Sequence, residues 1–482
     1  MEFDSCQRYP LFINNEFVQP SSGDYFTTRD PATGDSIAEV AAATDSDVDR
    51  AVESANESLS AWQSMSPDER GRIIQRIADG LRDDAANLAR LESRDQGKPL
   101  TQAQNDVEGA ARYFEYYAGA ADKLEGKSVP RGRETFDFTV REPYGVSGQI
   151  IPWNFPLNIT ARGVAPALAA GNTVVIKPAP TTPLSVLHFA ELCRDAGVPD
   201  GVVNVVTGAS EPGAALATHE DVDQITFTGS GPTGQSVMKS AAESVTPVTL
   251  ELGGKNPAIV MPDADLEEAV VSIAEGIFTN AGQICSAADR ALVHENVYDE
   301  FIDRIVQQAE SYTLGPGIDD PDMGPLNHAA HLETVVEYID EGLREGATIE
   351  TGGEPLDRDG HFVSPTVFSD VDNGMQIAQE EIFGPVLSVI PVSDREEAVA
   401  LANDTEYGLT GGVFSHDVKR ALRIARDIEA GSVYVNEWFG GSVETPFGGV
   451  KGSGIGREKG LEALESYLQT KNISVNLAAR DS

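Results

Sequence analysis

Basic residues are scarce. The 482-residue chain carries 35 Lys and Arg against 77 Asp and Glu, a formal net charge of -42, and only ten of the basic residues are lysine. Nucleic acids and anionic membrane surfaces are bound through a basic footprint, so this balance excludes both as partners. The acids are scattered (Asp45, Asp47 and Asp49; Asp83 and Asp84; Asp263, Asp265, Glu267 and Glu268) rather than gathered in a tail, so they form a hydrated surface. A salt-rich cytoplasm, where screening relieves the self-repulsion, is the preferred explanation; acidity for solubility alone is the other. Cysteine is also rare, with Cys6, Cys193 and Cys285 too few and too far apart for a disulfide framework or a metal cluster. Long apolar runs are missing, which leaves no segment of the roughly 20 residues a membrane span needs. The opening Met-Glu-Phe-Asp-Ser-Cys lacks the basic and apolar stretches of a secretory signal, and a cytoplasmic location is expected.

What remains is ordinary for an α/β protein, with 40% hydrophobic residues, 46 Gly and 27 Pro, and a length that suits about three domain-sized units. A β-rich entry at Leu11–Val18 precedes a largely helical region to about residue 120. There Thr44 and Asp47 form a capping-box pattern, followed by Val48, Ala51, Val52, Ala55, Leu59 and Trp62 at helical spacing. Short apolar runs at Thr173–Lys177, Gly201–Val206, Gln224–Thr228 and Val248–Leu252 then alternate with helical segments, the pattern of a buried parallel sheet. A second alternation starts with Pro257–Met261, so two α/β units enclose a cleft. Glu134–Val140 and Asn472–Asn476 read as strands without local partners, which pair with each other or across subunits.

Three segments carry chemistry. Phe227-Thr-Gly-Ser-Gly-Pro-Thr-Gly234 contains G-x-G-x-x-G between a strand and a helix, where free N–H groups favour a phosphate, although an ordinary tight turn has the same form. Glu251 follows Gly234 by seventeen residues, so it is either the ribose-binding acid of a dinucleotide fold or a general base at a strand end. Cys285 sits among small residues in Asn280-Ala-Gly-Gln-Ile-Cys-Ser-Ala287, as a buried hydrophobe or a nucleophile, whereas Cys193 falls on a helical pattern as a packed core thiol. His328 and His331 are three apart without a third ligand, and no metal site is assigned.

Pro152-Trp-Asn-Phe-Pro156, Glu251-Leu-Gly-Gly-Lys255, Gly282-Gln-Ile-Cys285, Glu380-Glu-Ile-Phe-Gly-Pro-Val386 and Pro446-Phe-Gly-Gly449 occur in that order. Together they resemble the aldehyde dehydrogenase superfamily over nearly the whole chain. The resemblance implies that Cys285 is the nucleophile, that Asn154 with the Cys285 backbone N–H holds an oxyanion, and that Glu251 is the general base rather than the ribose ligand. It implies NAD or NADP as cofactor, with Lys177 on the adenosine ribose, Gly229 and Ser230 on the pyrophosphate, Glu381 and Phe383 on the nicotinamide side, and Trp153 packed nearby. Many NAD-preferring members carry an acid three residues after the lysine. Here that position is Pro180, which removes an electrostatic objection to a 2′-phosphate. Phe155, Ile159, Arg162 and Glu458 fall in the implied substrate pocket. Arg162 stands where relatives acting on succinate semialdehyde or lactaldehyde place an arginine, to meet a substrate carboxylate or to pair with an acid.

The implied fold is two doubly wound parallel-sheet α/β domains: a dinucleotide-binding domain from 1–123 and 144–253 and a catalytic domain from 254–466. A small β oligomerisation element from 124–143 and 467–482 would build a homodimer or homotetramer. The implied substrate is a small aldehyde. Rival readings are an acylating dehydrogenase that uses coenzyme A, which the presence of Glu251 disfavours, a non-redox thiol esterase, and a cofactor-binding structural protein.

Overall fold

The computed structural model describes residues 7–478, so Cys6 and the last four residues of the chain lie outside it. Two mixed sheets with parallel centres dominate the molecule. The first has eight strands, with Gln224–Thr228, Val146–Ile150, Thr173–Lys177 and Val203–Val205 side by side at its centre and Val248–Glu251 next to Gln224–Thr228. All of these pair in parallel, while Leu11–Ile13 and Glu16–Val18 close one edge antiparallel. Alternate residues of one strand serve opposite faces: Val174 and Ile176 pack into one apolar core and Val175 into another. That is why the middle of Thr173–Lys177 is apolar on both faces, whereas Gln224–Thr228 alternates, its Gln224 and Thr226 meeting Ser147 and Tyr467 in a buried polar layer.

The second sheet has seven strands, in which Thr366–Ser369, Val386–Val392, Arg290–His294, Pro257–Val260, Thr410–Phe414 and Ser432–Val435 are parallel and Thr348–Thr351 closes one edge antiparallel. Its core includes Ile259, Phe278, Leu292, Phe301 and Val389. The two doubly wound sheets expected from the sequence are therefore present, with antiparallel strands confined to edges. One strand crosses the boundaries read from the sequence: Gly454–Ile455 pairs antiparallel with Leu250 and Glu251 and so joins the first sheet. Its tie is backbone pairing alone, which leaves no mark in side-chain pattern.

Of the four helices between Asp45 and Ala120, the first, opened by the Thr44 and Asp47 capping box, packs on the first sheet, and the others pack on one another and on the helices Pro156–Ala170 and Leu184–Asp195. Leu266–Phe278 forms a helix ahead of the cysteine segment, and Cys193 is fully buried in the helix Leu184–Asp195. Leu468–Asn476 pairs antiparallel with Thr135–Pro143 along its full length, with Ser128–Pro130 on the outer side, so the two partnerless strands find each other. A small sheet of Arg8–Tyr9, Ser36–Ala41 and Tyr25–Arg29 was not foreseen. Among the described residues no helix is long and apolar enough to cross a membrane.

Candidate active site

In an open parallel sheet a ligand crevice opens beyond the carboxyl ends of the strands where the winding reverses. In the first sheet that place lies between Val146–Ile150 and Gln224–Thr228, since later strands are added on both sides of this pair. Pro152, Trp153 and Asn154 follow the first of these strands; Gly229 and Ser230 follow the second. Glu251 ends the next strand, in register with Thr228. These residues line one cavity of about 200 Å³, whose remaining wall is Leu252, Gly253, Cys285, Glu381 and Phe383. Of the residues singled out in the sequence, the cavity thus gathers Cys285, Glu251, Asn154, Trp153, Gly229, Ser230, Glu381 and Phe383. Lys177, Phe155, Ile159, Arg162 and Glu458 are not among the residues that line it.

Cys285 is brought there by a strained turn. Asn280, Ala281 and Gly282 all have left-handed backbone, with φ of 51°, 54° and 72°. At Gly282 a Cβ would lie 2.1 Å from the Gly384 carbonyl oxygen, so only glycine lets this turn press against the loop carrying Phe383. The turn is held by side chains: the Gln283 amide donates to the Asn280 carbonyl at 2.8 Å, and the Gln283 side-chain oxygen accepts from the Asn327 backbone N–H at 2.8 Å. Asn154 Nδ2 donates to the Gln283 carbonyl at 2.9 Å, which fixes its amide beside the cysteine segment. Asn280 Nδ2 donates back to the Asn154 carbonyl at 3.2 Å. The Cys285 side chain is partly open to the cavity, while its own carbonyl accepts from Asn256 Nδ2 at 2.9 Å.

Desolvation dominates the electrostatics. Burial pushes the Cys285 thiol up to about 12, against the opposing pull of Arg162. Burial and the neighbouring Glu458 hold the Glu251 carboxyl well above the usual carboxylate range, against Arg162 and Arg457, and both Glu251 oxygens are buried without a hydrogen-bond donor. Burial and Asp289 raise Glu381 to about 8; its Oε1 accepts the Gly254 N–H at 3.1 Å. Arg162 and Glu458 form an ion pair with each other, both nearly inaccessible, so Glu458 is not a solvated surface acid. The Arg162 guanidinium also lies 5.2 Å from the centre of the Phe447 ring.

The wall opposite Cys285 is aromatic. Trp153 meets Phe383 edge to face at 5.3 Å between centroids and is packed by His328 and His331 at 5.8 and 5.3 Å. His331 Nε2 bonds the Phe383 carbonyl at 2.7 Å, and burial pushes its pKa down to about 4, so the ring is neutral. The pair set aside as a metal candidate thus braces an aromatic wall; helical spacing gave its common face but not its partner. A second group missed in the sequence lies beneath Phe155. Buried Lys98 is ion-paired with Glu92 and Asp106, its Nζ 4.0 Å from the Phe155 ring centre, and Glu92 accepts the Leu157 N–H at 3.3 Å.

A dinucleotide fits these surroundings. The Lys177 ammonium, on a residue largely buried at the end of its strand, makes no hydrogen bond or ion pair within the described residues, and burial lowers it to about 8. Ser230 caps the helix Gly231–Ser244, whose unpaired first-turn N–H groups suit a pyrophosphate. At Gly229 a Cβ would lie 2.6 Å from Phe227, which keeps the turn beside them bare.

Comparison with known proteins agrees with this geometry. Residues 17–473 match the model of the aldehyde dehydrogenase family. The chain is 45% identical to a hydroxyisobutyraldehyde dehydrogenase of Mycolicibacterium austroafricanum, covering 97% of this chain and 94% of that protein. It is 43% identical to human retinal dehydrogenase 2, covering 98% and 92%. Among solved structures, an aldehyde dehydrogenase from Bacillus cereus in complex with NAD+ superposes with a TM-score of 0.97 at 43% identity, covering 98% of this chain and 97% of that one.

Replacing Gly282 by alanine must displace the turn or the Gly384 carbonyl, at a cost of about 1–3 kcal/mol for a strained backbone position. We expect Gly282→Ala to lower the thermal midpoint by a few degrees and activity by at least about tenfold. A variant with full activity and an unchanged melting curve would show that this approach does not set the position of Cys285.

Proposed function

The chain belongs to the aldehyde dehydrogenase family, and from that membership we propose how its cavity acts. The protein is an NAD-dependent aldehyde dehydrogenase that oxidises an aldehyde to the carboxylic acid. We assign the nucleophile to Cys285. Its sulfur forms a bond to the aldehyde carbon while the thiol proton leaves through the open side of the cavity. The second N–H of the Asn154 amide and the Cys285 backbone N–H receive the developing oxyanion. Bound dinucleotide supplies the hydride acceptor. Loss of hydride from the carbon leaves a thioester on Cys285. Glu251 takes a proton from water as the water oxygen attacks that thioester; the carbon–sulfur bond breaks, the acid leaves and the thiol is restored. One observation carries this reading: Cys285, Glu251 and Asn154 arrive from three separate segments to line the same cavity as Ser230, Glu381 and Phe383. A carboxylate in that cavity favours hydrolysis over transfer of the acyl group to coenzyme A.

For the cofactor we assign Lys177 to the adenosine ribose, Gly229 and Ser230 to the pyrophosphate, and Glu381, Phe383 and Trp153 to the nicotinamide end. The 1–123 and 144–253 segments then form the dinucleotide-binding domain and 254–466 the catalytic domain. The 124–143 and 467–482 segments form the element for a homodimer or homotetramer. Phe136, Val475 and Leu477 on that element are 48%, 37% and 59% exposed, a sheet face that self-association would cover.

The pairing of Arg162 with Glu458 bears on substrate choice. A guanidinium already neutralised by a buried carboxylate is a poor anchor for a second one. We therefore assign Arg162 to holding Glu458 beside Glu251, with Phe155 and Ile159 as apolar packing around the site rather than lining of the cavity. The acidic surface is assigned to life in a salt-rich cytoplasm.

Three outcomes follow from these assignments. Glu251→Gln should keep a stoichiometric burst of reduced dinucleotide but lose about 10²–10⁴-fold in steady turnover, and the limb of the pH–rate profile that rises well above the ordinary carboxylate range should vanish; rapid-mixing absorbance reads both, and loss of the burst would place Glu251 in an earlier step. Arg162→Ala should slow oxidation of neutral and carboxylated aldehydes alike, because Glu458 is left buried without the partner that holds it; a selective loss on carboxylated aldehydes in parallel kcat/KM measurements would instead make Arg162 a substrate anchor. Raising KCl from about 0.1 M to about 1 M shortens the screening length from about 10 Å to about 3 Å and should raise the thermal midpoint by several degrees; a flat calorimetric series would remove the halophilic assignment.

A further inference from the structure

The sequence left the ribose site without its acid, because Pro180 occupies the position three residues after Lys177. The fold brings an acid to that place from another segment. Glu211 is the first residue of the helix Glu211–Thr218. The first turn of this helix lies along the Lys177 side chain: a Cβ at Gly213 would stand 3.7 Å from Lys177 Cδ. Glu211 and Pro180 line one open cleft of about 720 Å³, together with Gly208, Ala209 and Thr44. The charged residues lining that cleft are Asp24, Asp45 and Glu211, and none of its lining residues is basic. Glu211 is exposed and takes part in no hydrogen bond or ion pair within the described residues, so its carboxylate is free to accept from a ligand. It is also near enough to Lys177 to favour the ammonium form of the lysine against desolvation.

A carboxylate beside the adenosine ribose accepts hydrogen bonds from its hydroxyls, and it repels a 2′-phosphate. We propose that Glu211 is the specificity-determining carboxylate of the cofactor site, accepting the adenosine ribose hydroxyls in place of the missing acid at Pro180 and selecting NAD over NADP. The assignment rests on the reading of Lys177 as a ribose contact. Asp24 and Asp45 add negative charge at the same cleft and strengthen the exclusion of a third phosphate.

The test is calorimetric titration of NAD+ and NADP+ into Cys285→Ala protein, which binds without turnover. The parent should bind NAD+ at least about tenfold more tightly than NADP+, the scale of one repulsive charge near a protein surface. Adding Glu211→Gln should weaken NAD+ severalfold, tighten NADP+, and bring the ratio close to one. Pro180→Glu in the Glu211→Gln background should restore the preference for NAD+. A ratio unmoved by Glu211→Gln, in protein that still binds NAD+, overturns the role of Glu211 alone. Failure of the parent to bind either dinucleotide overturns the cofactor reading beneath it.

Discussion

One close approach of two backbones sets the site. Where the left-handed turn at Asn280–Gly282 meets the Gly384 carbonyl, no side chain fits, and the cysteine segment is pressed against the loop that carries Glu381 and Phe383. Gln283 then fixes the turn through Asn327, and its carbonyl fixes Asn154. The nucleophile, the amide beside it and the aromatic wall are therefore parts of one rigid contact rather than three loops that happen to meet. Such precision matters for a reaction in which an approach error of about 1 Å can cost about a hundredfold.

The same closeness removes water, and the ionisable groups answer to that. Cys285, Glu251 and Glu381 are all moved toward their neutral forms by burial, and Lys177 is moved the same way. Moving a thiol and a carboxyl toward their neutral forms lessens the cost of two buried like charges, and each becomes strongly nucleophilic or basic once it ionises. Arg162 supplies the counterweight. It favours the thiolate at Cys285 and ionisation at Glu251, while its direct partner Glu458 keeps the local charge balanced.

Much of this was legible in the chain. A central strand covered by helices is apolar on both faces, and that requirement writes itself into the Val174, Val175 and Ile176 of Thr173–Lys177. The motif residues around Cys285 and Glu251 were legible for a related reason, since their backbone demands glycine and small side chains at fixed places, whereas Asn154 was legible only through the resemblance of residues 152–156 to the family. Partners were not. Arg162 is matched to Glu458, His331 to Phe383, and Gly454–Ile455 to a sheet otherwise built from distant segments, and each pairing is a product of tertiary packing that local spacing does not encode. Glu211 belongs with them, since only the fold lays its helix along Lys177.

The strongly negative surface and the anionic cofactor pull in opposite directions, and screening settles which one governs. With a net charge of -42, the average field of the molecule repels any phosphate. At physiological ionic strength that field fades over about 8 Å, and a concentrated salt medium shortens it further. Inside the cleft, what survives is local: the open amides at the start of Gly231–Ser244, the lone ammonium of Lys177, and the acids at the ribose end. On the proposed assignment the pyrophosphate would meet the amides and the ribose Lys177, while a third phosphate at the ribose would meet the acids. On the proposed role of Glu211, discrimination between dinucleotides would rest on the few charges within a screening length, so that one carboxylate at the start of a short helix would outweigh dozens on the surface.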